Sequence, residues 1–170
     1  MRILLYLFVM VIANVVTAVF QPMTIWCFIV PAGTWFIGFN FILRDWVQMK
    51  YGRAKTYYAI GAGVVLSLLL SLYFGDMLPI TIAGAFAFMV SETIDTEIFS
   101  RIKTSLANRI ALSGVFGGLF DSSIFICLGL SPIGAGFLSW ELVPLAILGQ
   151  WVVKSILQLV GAGVVKVVVE

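Results

Sequence analysis

The chain has 170 residues, 62% of them hydrophobic and 11% charged, with a net charge of +2 and a mean hydropathy of +1.13. Soluble domains carry roughly 45–50% apolar and about 25% charged residues, so a core of this size cannot absorb the surplus and much of it must face lipid. Histidine is absent, which removes the commonest general base, zinc ligand and pH switch. The two cysteines, Cys27 and Cys127, lie in apolar runs without a CxxC pairing and indicate neither a disulfide nor a metal site.

A bilayer core roughly 30 Å thick asks for about 20 helical residues per crossing. Six stretches meet it, and they predict an all-α polytopic membrane protein, a single transmembrane domain over 1–170 with spans at about 3–20, 24–43, 57–74, 78–99, 106–130 and 142–165. The first, behind Met1-Arg2, resembles a signal peptide, but no small-residue cleavage site follows it, so it reads as a span. Pro22, Asp76-Met77-Leu78-Pro79 and Ser131-Pro132 supply turns, because proline cannot continue the helical ladder. Pro31 is expected to interrupt the second span and free a backbone carbonyl.

Cations set the orientation. With the amino terminus in the cytoplasm, the inner segments hold Arg2, then Arg44, Lys50, Arg53 and Lys55, then Arg101, Lys103 and Arg109, then Lys166. The outer turns hold only the acids Asp76 and Glu141. The positive-inside rule therefore places both termini on the cytoplasmic side. Three plus three spans is also the arithmetic of an inverted repeat, echoed by Asp95-Thr-Glu-Ile-Phe99 and Asp121-Ser-Ser-Ile-Phe125.

Polar residues inside the spans carry the functional signal, since a charge near the bilayer centre is costly and its default reading is a site. At about 1.5 Å per residue, Asp121 lies roughly 18 Å from Arg109, and Lys154 roughly 20 Å from Glu141. Glu92 is roughly 21 Å from Leu78, with Asp95 one turn deeper, and Asn14 is roughly 18 Å from Arg2. Four helices thus place a polar group in the middle third. Glu92 and Asp95 share a face with Phe88 and Phe99. Gly114, Gly117, Gly118 and Asp121 form a small-residue stripe, which most often means close helix packing. Gln150, Lys154 and Gln158 recur every four residues beside Trp151, as do Asn14, Thr17 and Gln21 approximately on the first span. Glu97 points elsewhere and stands four residues before Arg101, the spacing of a surface pair. Two or three carboxylates facing one lysine leave a net negative cluster, which a purely structural pair would not need. Asn14, Glu92, Asp95, Asp121, Gln150, Trp151 and Lys154 are the predicted binding residues, with Lys154 paired to Asp121 or to Glu92 and Asp95. No metal or other cofactor is implied.

The segments Ser91-Glu92-Thr-Ile-Asp95-Thr-Glu-Ile-Phe99 and Gly117-Gly118-Leu-Phe-Asp121-Ser122-Ser-Ile-Phe125 resemble the VUT family of bacterial membrane proteins, the queuosine precursor transporters. Phe41-Ile-Leu-Arg-Asp45, continuing to Gly52-Arg53-Ala54, is similar to that family's second-helix end. The resemblance implies uptake of 7-cyano-7-deazaguanine or 7-aminomethyl-7-deazaguanine, precursors of a modified tRNA base, across the bacterial inner membrane. A deazaguanine offers adjacent N–H groups that one carboxylate, Glu92 or Asp121, can accept together. Lys154 or Gln150 would donate to its carbonyl, and Trp151 or Phe88 would stack on its ring. The partners expected are this deazapurine base and membrane lipid, with a homo-oligomer compatible and no nucleic acid.

Two other classes compete. A substrate-binding membrane subunit energised by a separate ATPase has the same composition and would copurify with its partners. A small membrane enzyme is disfavoured by the lack of histidine, Walker loop, GxSxG elbow and paired-aspartate phosphotransferase signature. The expectation is therefore a transporter and not an enzyme.

Overall fold

In the computed structural model the described residues are 1–20, 23–25, 28–74 and 78–169. Side chains within helices at residues 14, 18, 71, 74, 78, 79, 164, 165 and 167–169 are also outside the description. The expected turns at Pro22 and Asp76-Met77-Leu78-Pro79, the residue Gln21 and the burial of Cys27 therefore lie wholly or partly outside it.

The fold is all-α and 82% helical. Helix α1 spans Arg2–Val19, α2 Thr34–Phe74, α3 Leu78–Arg101, α4 Leu106–Phe125 and α5 Val143–Val169. A single π turn, Ile126–Leu130, continues α4. Helix α2 is 41 residues long but is broken at Gly52, whose φ of 79° and ψ of 170° suit glycine almost alone. Tyr6 of α1 shares one buried cluster with Val47 before the bend and Ala59 after it, so the two arms double back and the described chain has six helical segments.

The sequence expectation of a second span over 24–43 needs correction. Strands β1 (Met23–Ile25) and β2 (Phe28–Val30) form an antiparallel hairpin with Met23 opposite Val30 and Ile25 opposite Phe28. These β-branched and aromatic residues suit a pleated ribbon. The helix begins only at Thr34, whose N–H donates to the Pro31 carbonyl at 2.9 Å, so Pro31 precedes the helix and does not interrupt it. The first arm then runs beyond the expected end at Leu43 as far as the bend. From Leu78 onward the expected and observed helices agree within a few residues. Ser105 caps α4, its side chain accepting from Asn108 N–H at 3.3 Å, as N-cap serines do.

Apolar and polar surfaces are inverted relative to a soluble protein. Phe8, Tyr58, Leu69, Leu72, Phe86, Phe116, Phe120, Ile156 and Val160 are exposed, while Arg44, Asp45, Glu92, Asp95, Gln150, Lys154 and Gln158 are buried. Leu106–Leu130 and Val143–Gly163 are long and apolar enough to cross a membrane, and Arg2–Thr17 is a shorter apolar helix. One apolar cluster joins α1, α2 and α3 around Tyr6, Leu43 and Phe88. Another joins α3, the π turn and α5 around Ile80, Ile126 and Ala146. A third joins α3, α4 and α5 around Phe99, Ile110 and Ala162.

Candidate functional site

The period-four line of α5 faces inward, with Gln150, Lys154 and Gln158 all buried. Lys154 Nζ, 1% exposed, forms an ion pair with Asp121 Oδ2 on α4. The Ser91 hydroxyl lies 3.3 Å from Asp121 Oδ1 and 3.1 Å from its own helix's Phe88 carbonyl. Gln150 Nε2 donates to Thr34 Oγ1 at 3.3 Å, and Gln150 Oε1 is buried without a partner among the described residues. Lys154, Asp121, Gln150 and Thr34 line a cavity of about 90 Å³ to which every helical segment contributes. Thr34, Asp121, Gln150 and Lys154 supply its polar wall, and Phe88 and Phe125 supply rings. Phe125 is the last residue before the π turn, a device often found at functional positions in helices.

A second ion cluster lies deeper in the bundle, toward the Gly52 bend. Arg44 on the first arm of α2 is 1% exposed, with its Nε 3.1 Å from Glu92 Oε2 and its Nη1 3.1 Å from Asp45 Oδ1. Its Nη2 is ion-paired with Asp95, and Nη1 also donates to Gln48 Oε1 at 3.1 Å. Gln158 Nε2 donates to Asp45 Oδ2 at 2.8 Å and to the Ile110 carbonyl at 3.1 Å. One guanidinium therefore faces three buried carboxylates, whereas Lys154 faces one.

The glycine stripe of α4 lets the two clusters approach. A Cβ at Gly114 would overlap the Gln158 side chain, one at Gly117 would sit 2.9 Å from Asp95 Cβ, and one at Gly118 3.4 Å from Lys154 Cβ. The stripe is packing surface for the polar residues of α3 and α5.

The predicted site residues divide. Asp121, Gln150 and Lys154 converge on the cavity with Phe88. Glu92 and Asp95 do not line it and are held by Arg44 instead of Lys154. Trp151 gives its ring N–H to the Val115 carbonyl at 2.9 Å and is also absent from the cavity wall. The side chain of Asn14 lies outside the described residues. Glu97 turns outward, bonded to Arg101 Nη2 at 3.0 Å and the Tyr57 hydroxyl at 2.7 Å, and paired with Arg53. Sequence reasoning missed Arg44, Asp45, Gln48, Thr34 and Ser91. The available signal was the spacing of Asn40, Arg44 and Gln48 at intervals of four, opposite three acids of α3 and α2 that had too few cations.

Four further arginines gather near the bend. Arg2 lies over the Trp46 ring at 4.2 Å, Arg53 and Arg101 meet at Glu97, and Arg109 lies over Phe99 at 4.2 Å.

Comparison with known families gives a direct result. The model of the Vut_1 family, described as putative vitamin uptake transporter, matches residues 70–168, more than half of the chain. This chain belongs to the vitamin uptake transporter family. It is thus a membrane protein of a transport family, consistent with a small-molecule substrate and with the expectation that it is not an enzyme. The matched stretch contains Glu92, Asp95, Asp121, Gln150 and Lys154, while Arg44 lies before it. No curated protein and no solved structure matches the chain.

Proposed function

We propose that the protein imports a queuosine precursor, a 7-deazaguanine base, through the cavity at Asp121, Gln150 and Lys154. The observation that carries this reading is the convergence on one cavity of an ion pair, an unpartnered buried acceptor and two aromatic rings. The pairing edge of a deazaguanine offers ring and exocyclic N–H donors beside a carbonyl acceptor. Asp121 and Gln150 Oε1 accept from the donors, Lys154 donates to the carbonyl, and Phe88 and Phe125 pack on the ring. A base lacking those groups would leave buried polar atoms unpaired, which is the source of selectivity.

In this reading all six helical segments cross a bacterial inner membrane, and both termini lie in the cytoplasm. The cations gathered near the Gly52 bend support that orientation, and the apolar exterior supports burial in lipid. The site then lies within the membrane, where secondary transporters commonly hold their substrates.

The test is uptake of labelled 7-deazaguanine bases by cells that lack their own route and make only this protein. Uptake competed by unlabelled deazaguanine and not by adenine is the expected result. Uptake no faster than in cells without the protein overturns the substrate assignment, and copurification of an ATPase required for uptake would recast the chain as a binding subunit.

A further inference from the structure

The Arg44 cluster sets three carboxylates against one guanidinium. Arg44 is surrounded by Asp45, Glu92 and Asp95. Both carboxylate oxygens of Glu92 and of Asp95, and Gln158 Oε1, are buried with no hydrogen-bond partner among the described residues. Beside it, the crevice lined by Tyr6, Arg44 and Val47 has no volume for even a water molecule. Two uncompensated negative charges in such a place are expensive. A proton on one carboxylate is the smallest charge that offsets them.

We infer that this cluster is a proton-binding site, with Glu92 as the carrier, and that its proton moves together with the substrate; the transport half of this rests on the function proposed above. Of the three acids, Asp45 is held by both Arg44 and Gln158, and Asp95 is ion-paired to Nη2. Glu92 meets only Nε, and Ser91 beside it in the chain reaches Asp121 of the cavity. The charged and titratable groups around Glu92 come from every packed helix. They are Tyr6 of α1, Arg44 and Asp45 of α2, Asp95 of α3 itself, Asp121 of α4 and, through Asp121, Lys154 of α5, with Arg109 acting on Asp45. The chemistry is a carboxylate taking one proton from one side of the membrane and releasing it on the other, with no bond changed elsewhere.

The link to the cavity is short. Ser91, which precedes Glu92, reaches Asp121, and the charge of Asp121 acts on Glu92. A proton on Glu92 removes a repulsion that opposes a charged Asp121; donors of a bound substrate hold Asp121 in that charged form, and its charge in turn favours the proton on Glu92. Each event favours the other, and the coupling is reciprocal.

Two measurements test this on the full-length protein in lipid vesicles. Infrared difference spectra between acid and alkaline pH, without substrate, should show a solvent-shielded protonated carboxyl that disappears in Glu92→Gln and persists in Glu97→Gln. With labelled 7-deazaguanine, an inward gradient of one pH unit should drive accumulation of up to about tenfold for one proton per substrate, while Glu92→Gln exchanges substrate without accumulating it. A carboxyl signal that survives in Glu92→Gln overturns the proton site, as does wild-type accumulation indifferent to the gradient. If Glu92→Gln does not insert, Glu92→Asp replaces it and should move the pH at which the signal titrates; an unmoved signal overturns the assignment. Absence of deazaguanine transport with the Glu92 signal present defeats the substrate reading and leaves the proton site standing.

Discussion

The two ion clusters are built from the same residue types and differ in what surrounds them. At Lys154 and Asp121 one cation meets one acid beside an open cavity, with Gln150 holding an unused acceptor toward it. At Arg44 one cation meets three acids, none of which lines that cavity. A flexible lysine can release its partner when a ligand arrives, since its ammonium is a point charge on a long stem. A guanidinium that serves several acids through a planar fork is a fixture. Burial and unused acceptors, which both clusters have, therefore do not distinguish a substrate site from a frame; free space does.

The sharpest way to break this contrast is to remove each cation. Deleting one partner of a buried pair typically costs about 3–5 kcal/mol, and Arg44→Met strands three acids at once. It should abolish recovery of folded protein, read as monodisperse yield from membranes and melting in detergent. A variant as stable as the parent would show that the Arg44 cluster is no frame. Lys154→Met strands only Asp121, which borders the cavity, so the loss should fall toward the lower end of that range. Adding Asp121→Asn should restore folding without restoring transport. If the single change leaves both folding and transport intact, Lys154 has no part in the site.

Ligand affinity sharpens the contrast from the other side. Asp121→Asn removes a charge-assisted hydrogen bond worth about 1.5–3 kcal/mol, which corresponds to about 10- to 150-fold weaker binding. Glu92→Gln, away from the cavity and a mimic of the protonated acid, should not weaken equilibrium binding at alkaline pH. Calorimetry or radioligand binding on purified protein checks both, and the reverse order would interchange the two clusters' roles. Gln150→Leu deletes a neutral acceptor, so about 0.5–1.5 kcal/mol should be lost, or roughly 2- to 12-fold in affinity. The smallest effect belongs to Glu97→Gln, which sits outside both clusters and should leave binding unchanged.

Much of this arrangement was legible in the residues. The spacing of Gln150, Lys154 and Gln158 identified an inward face, and the shared depth of Lys154 and Asp121 anticipated their pairing. The outward direction of Glu97 followed from its offset to Arg101. Other features were hidden for identifiable reasons. Hydropathy does not separate a short apolar ribbon from a helix, so the hairpin at Met23–Val30 read as part of a span. Pro22 and Pro31, which bracket it, were the overlooked signal. Arg44 was counted as a loop cation because a rule based on charge position treats every arginine near a span end alike. Only the helix running on to the bend places it inside, among acids assigned to a lysine.

The bend at Gly52 has a consequence for how the molecule counts. Forty-one helical residues in one line would measure roughly 62 Å, about twice a bilayer's hydrocarbon thickness, and folding them in half brings Val47 and Ala59 to the same residue of α1. A Cβ at Gly52 would touch nothing within 4 Å, so the requirement for glycine is purely one of backbone torsion. In the proposed membrane setting that single torsion decides parity. With the bend the number of crossings is even and the chain's two ends emerge on the same side; straightened, every loop from the end of α2 onward would face the opposite compartment.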